Sequence, residues 1–178
     1  PDHASWYADT YAAYDRILSV PAYAGPFRDE LVEVRPGEPG QPTIERHRLH
    51  LDDQFGTVIP FWLALPPDPN GATLLAPPGH GYFLGETVGI ISPGASESAR
   101  GFIEFYNMDY ALQAAQRGYL AVTWDVRGLG ARHSVWRDGA GISANEEGAW
   151  AQLAQVGLNL PGMNTYDMEA LLRWLESR

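Results

Sequence analysis

The run "AQRGYLAVTWDVRGLGAR", Ala115 to Arg132, decides how this chain is read. Its middle, Tyr119 to Val126, is apolar almost throughout. That is the texture of a strand in a parallel sheet covered on both faces, where no side chain needs to face water. Gly118, just before it, stands where a helix C-cap belongs. Just after it, Asp125 to Ser134 forms a loop leaving the strand's carboxyl end. In open α/β sheets, ligands bind beyond those ends. Gly128 and Gly130 permit a sharp exit, and Asp125 and Arg127 would brace each other or nearby backbone, which makes this a structural loop. Gly128-Leu129-Gly130 is not a dinucleotide fingerprint, because position 133 is His where a third glycine is needed.

Working upstream, Phe102, Phe105, Met108, Leu112 and Ala115 fall on one helical face and predict a helix ending at Gly118. Before it, "ATLLAPP" is a short buried strand that runs into Gly79-His80-Gly81-Tyr82. Glycines just past a strand end let a backbone approach a ligand and leave N–H groups free to face a developing oxyanion. A tight turn carrying a solvated histidine explains the same four residues. Still earlier, Glu45 to Leu51 and Thr57 to Leu65 alternate around the turn at Asp52-Asp53, as neighbouring antiparallel strands do. Pro60 has no N–H and predicts an edge or a bulge in the second of them.

"RPGEPGQPT", residues 35 to 43, reads as a loop or short linker. Tyr7, Tyr11, Tyr14 and Leu18 recur at helical spacing, with Ser5 as the expected N-cap. Residues 1–43 are thus expected to be an N-terminal helix and linker packed on a domain formed by residues 44–178.

Downstream, residues 127 to 161 are loop-like, with one short helix expected near Glu146 to Gln155. Met168, Leu171, Leu172 and Leu175 then mark a last helix capped by Asn164 or Thr165. The order β-β-β-α-β-α predicts an α/β domain whose sheet starts antiparallel, turns parallel and carries flanking helices.

Bulk composition narrows the function. The chain has 178 residues, 45% hydrophobic and 19% charged, enough for a packed core. A net charge of −10 argues against nucleic acid and anionic membranes as partners. With no cysteine, disulfides and thiolate metal sites are excluded, and the compartment is left open. All 12 basic residues are arginines, which rules out a lysine Schiff base or a phosphate-loop lysine within these residues. No apolar run reaches the roughly 20 residues that span a bilayer.

Other polar clusters have simpler readings. Asp52 and Asp53 suit a turn, and Glu146 and Glu147 suit a solvated helix start. His47 and His50, three apart on a strand, point to opposite faces and make a poor metal pair. Trp136 and Trp150 would line a pocket or cover the core. Nothing calls for a metal or a cofactor.

Taken together, these features resemble the α/β-hydrolase superfamily, and within it bacterial acetyl-xylan-esterase-like and dienelactone-hydrolase-like enzymes. The resemblance covers roughly residues 44 to 178. Its most specific part is Arg117 to Gly130, similar to the family's D-x-R-G-x-G strand-to-loop signature. The resemblance implies that Gly79, His80, Gly81 and Tyr82 form the oxyanion loop, with His80, Gly81 or Tyr82 giving the N–H. It implies a serine hydrolase that cleaves small-molecule carboxylic esters, acetyl esters of sugars among them. The family's G-x-S-x-G elbow is absent from this sequence. Nucleophile, acid and base are therefore expected beyond Arg178, on a C-terminal half of the same fold supplied by this polypeptide or a second chain. A noncatalytic binding or scaffold domain, and a peptidase or other hydrolase of this fold, are the alternatives.

Overall fold

The computed structural model describes residues 2–23, 25–78, 97–129, 132, 137–138, 141–142 and 146–178. Helix α1 (His3–Leu18) is followed by strands β1 (Phe27–Arg35), β2 (Thr43–Leu51), β3 (Val58–Leu65) and β4 (Thr73–Leu75). Helices α2 (Glu97–Tyr106) and α3 (Tyr110–Gln116) lead to β5 (Leu120–Trp124). A small hairpin, β6 (Arg137–Asp138) and β7 (Gly141–Ile142), precedes α4 (Glu146–Gln155) and α5 (Leu160–Glu176).

Five strands form one sheet in the order β1-β2-β3-β5-β4. β1 to β3 pair antiparallel, β3 pairs antiparallel with β5, and β4 pairs parallel with β5, Thr73 opposite Leu120. This is the mixed sheet that the sequence predicts, with the parallel pair where "ATLLAPP" and "YLAVTWDV" place it.

Alternation along the strands gives the sheet two covered faces. Leu49, Leu51, Ile59, Phe61, Leu63, Val122 and Trp124 pack against Met163, Tyr166, Ala170, Leu171 and Trp174 of α5. Phe61 and Trp174 meet edge to face, with ring centroids 4.7 Å apart. On the opposite face, Ile44, Trp62, Ala64 and Ala121 pack against Ala111, Ala114 and Ala115 of α3. Small alanines on α3 let it lie close to the sheet. The bulkier α5 face supplies the larger share of apolar burial, about 1.5–3 kcal/mol for each fully buried large side chain.

Several elements differ from the sequence expectation. β1 is a strand the pattern does not reveal, and the "RPGEPGQPT" stretch joins it to β2 as a hairpin connection. Val32 interrupts its register between Leu31 and Glu33, so its inward positions lose the period of two. The single helix predicted through residues 102 to 118 is two helices, broken where Asn107 adopts φ +51°. Phe105, expected on the buried face, is exposed. Gly118 does close the second of them, at φ +90°, a conformation that suits glycine.

Asp2, not Ser5, caps α1; its carboxylate accepts from the Ser5 N–H at 2.8 Å. α5 begins at Leu160, earlier than expected, because Asn159 caps it and Pro161 suits its first turn. The Asn159 amide also donates to the Ile17 and Leu18 carbonyls, both at 2.9 Å, tying the end of α1 to the start of α5. Leu172 is exposed, and Leu171 takes its place in the core. α4 falls where the sequence places it.

Candidate functional site

The site is built at the carboxyl end of β5. Its first cause is a proline one strand away. Pro60 lies in β3, an interior strand between β2 and β5, not on the edge that its missing N–H predicts. It is tolerated because it sits where the β3–β5 ladder ends. The Asp125 N–H donates to the Pro60 carbonyl at 3.2 Å, and the return bond that an N–H at position 60 would make to the Asp125 carbonyl cannot form. Arg132 takes that role, its Nη1 donating to the Asp125 carbonyl at 3.3 Å.

From there the chain turns at Gly128, whose φ of +85° favours glycine and lets the backbone leave the strand abruptly. The Arg127 backbone N–H donates to Asn164 Oδ1 at 3.0 Å. Its guanidinium reaches not Asp125 but Asp167, through Nε to Oδ2 at 3.0 Å and Nη2 to Oδ1 at 2.7 Å. Nη2 also donates to Thr57 Oγ1 at 3.2 Å. Arg132 Nη1 donates to Asp167 Oδ2 as well. Asp167 is fully buried, so one carboxylate within α5 is shared by two guanidinium groups. Burial pushes the Arg132 guanidinium below its ordinary value. Asp167 opposes that shift, and the Arg127 charge adds to it.

A second network holds Thr57 in place. Asp53 Oδ1 accepts from the N–H groups of Thr57 at 2.9 Å and Phe55 at 3.1 Å, closing the turn between β2 and β3. Asp53 Oδ2 accepts from the Tyr166 hydroxyl at 2.8 Å. Burial pushes the Asp53 carboxyl up, but these hydrogen bonds outweigh burial and leave it below its ordinary value. Burial and the Asp53 carboxylate together push the Tyr166 hydroxyl well up.

Beside this brace an open cleft of about 300 Å³ is lined by Arg127, Gly128, Arg132, Ala149, Gln152 and Leu153. Ala149, Gln152 and Leu153 fall on one face of α4, at i, i+3 and i+4.

Of the residues named from sequence, Asp125, Arg127 and Gly128 lie together here. Gly79, His80, Gly81, Tyr82, Gly130 and Trp136 lie outside the described residues. Trp150 is 44% exposed on α4. His47 and His50 face opposite sides of β2, as expected. His47 is buried between Asp29 at 2.8 Å and Glu45 at 3.1 Å, while His50 meets Glu30 at 2.7 Å. Thr57, Arg132, Asn164 and Asp167 were not legible as site residues. Asp167 carried one signal: a carboxylate set among Met163, Ala170, Leu171 and Trp174, on the buried face of its helix.

This is an α/β-hydrolase-type sheet: antiparallel at its start, parallel at β4 and β5, with helices on both faces. A solved structure titled "putative acetyl xylan esterase", from Bacteroides fragilis, shares the fold with a TM-score of 0.75 over 98% of this chain at 20% identity. The chain spans 44% of that neighbour's length. A "Glucuronoyl Esterase" from Solibacter usitatus matches more loosely, with a TM-score of 0.47 and 17% identity over 90% of this chain and 51% of that one. No protein-family model matches the sequence, and no curated protein does.

Proposed function

We propose that this chain is part of a serine hydrolase that cleaves carboxylic esters of small molecules through an acyl-enzyme. The observation that supports it is the shared fold over 98% of the chain with the "putative acetyl xylan esterase" structure. On this reading the chain supplies the first five strands of the sheet. The loop after β4, Gly79 to Tyr82, supplies backbone N–H groups that hold the oxyanion of the tetrahedral intermediate. The loop after β5 is the brace: Asp125, Arg127 and Gly128, with Asp167 and Arg132, fix the sheet end against which the reacting groups are assembled. The serine nucleophile, its general base and the orienting acid lie beyond Arg178. The serine oxygen attacks the ester carbonyl as its proton passes to the general base, the ester C–O bond breaks and the alcohol leaves with that proton, and water then cleaves the acyl-serine to a carboxylic acid and the free serine. Acetyl esters of sugars are the substrate class to try first.

The test is a fluorophosphonate serine probe applied to the intact polypeptide, with an aryl acetate as competitor. Covalent labelling of one serine, slowed by the ester, is the expected result. An intact protein that is neither labelled nor able to hydrolyse any aryl ester would be a noncatalytic member of this fold.

A further inference from the structure

Among the described residues, the brace at the end of β5 engages fewer of its donors than it has. Arg127 engages Asp167 and Thr57 through Nε and Nη2. Its Nη1 has no partner among the described residues. Arg132 engages Asp167 and the Asp125 carbonyl through Nη1 alone. Its Nε and Nη2 have no partner among the described residues, although the side chain is only 11% exposed. Both residues line the same cleft of about 300 Å³. A guanidinium presents five N–H donors in a planar fork that matches a carboxylate. An edge that lines an open cleft can be met by an acceptor that a ligand brings.

We propose that this cleft is a binding site for a carboxylate group, held by the edges of Arg127 and Arg132 that no described residue engages. The charge count favours no highly charged ligand. Asp167 neutralises one guanidinium, and Asp125, also buried, acts on Arg132 as well. Recognition therefore rests on directed donors, which suits a monoanion of modest size. The remaining walls fit that ligand. Ala149 and Leu153 offer apolar surface for the carbon chain attached to the carboxylate, and Gln152 offers a further donor at the rim. The site does not depend on ester hydrolysis. It would be occupied in a protein of this fold that has no catalytic serine.

The experiment is calorimetric titration of the intact protein with sodium acetate at constant ionic strength, with sodium chloride as the reference. Saturable binding with a Kd on the order of 1 mM is expected, the range open to a ligand of few atoms. Arg132→Gln should abolish it. Because that change touches Asp167, Gln152→Glu provides the independent arm. It sets a carboxylate on the cleft wall from an exposed helical position and leaves the brace intact. It should weaken acetate at least about tenfold by like-charge repulsion, with an unchanged circular dichroism spectrum. Monomethyl succinate separates the two sources of the group. Equal or tighter binding than acetate means the carboxylate is carried on a larger molecule, and binding of acetate alone means a free small acid. Heats from acetate no different from those of chloride, or a Gln152→Glu protein that binds acetate as the parent does, would overturn the proposal.

Discussion

Arg127 and Asp167, far apart in the chain, meet as a two-pronged ion pair with contacts of 3.0 and 2.7 Å, and Asp167 is wholly buried. The pair joins the loop after β5 to α5, the helix that covers one face of the sheet. It fixes the sheet end at which ligands bind in this class of fold.

Asp167→Asn keeps the shape of the side chain and removes the charge that two guanidinium groups share. A buried charge stripped of its partner typically costs about 3–5 kcal/mol. Denaturant titration should show a loss of that order. A loss under about 1 kcal/mol would mean that water already shields the pair.

Leu171 and Leu172 are neighbours with opposite environments: the first is fully buried, the second 40% exposed. Leu171→Ala should cost about 2–5 kcal/mol, and Leu172→Ala less than about 1 kcal/mol. Equal losses at the two positions would place the α5 face wrongly.

That pair shows what the sequence carries and what it hides. A helical apolar stripe spans about 100° or more, so Leu171 and Leu172 both fit it until the sheet's position is known. β1 stayed hidden because Val32 breaks its alternation at the irregular register and because apolar Leu31, Val32 and Val34 stand exposed while Glu30 and Glu33 are half-buried. The break at Asn107 was hidden because the apolar spacing of the two short helices continues across it. β5 and the exit at Gly128 were legible, since a covered strand and a glycine turn leave local marks; β4 was legible as a strand but not as buried, for it is the edge of the sheet, with Thr73 and Leu74 exposed. The partners Thr57, Arg132 and Asp167 were not. No spacing rule links Arg127 to a carboxylate that lies beyond a hairpin and a helix.

The Asp53–Tyr166 bond makes stability depend on pH at both ends. Asp53 is held below its ordinary value of 3.8, so its contribution is complete above that value and is lost as pH falls through the lower folded one. Tyr166 is held above its ordinary value of 10.0, so its contribution is complete below pH 10.0 and is lost as pH rises toward the folded one. Tyr166→Phe should flatten the alkaline loss and raise the acid midpoint of unfolding, both followed by circular dichroism. An unchanged acid midpoint would show that the hydroxyl does not hold Asp53 down.

The most direct test of the proposed function is steady-state kinetics on the intact protein with an aryl acetate, comparing two changes in the segment Gly79 to Tyr82. Gly81→Pro removes one backbone N–H and fixes φ near −65°. If Gly81 or its neighbour is the oxyanion donor, kcat should fall about 10²- to 10³-fold, the usual cost of losing one such donor. His80→Ala should do much less, because on the proposed function the general base is a different residue. Circular dichroism confirms that both variants fold. Activity abolished by His80→Ala and spared by Gly81→Pro would contradict the account and make His80 itself the catalytic group.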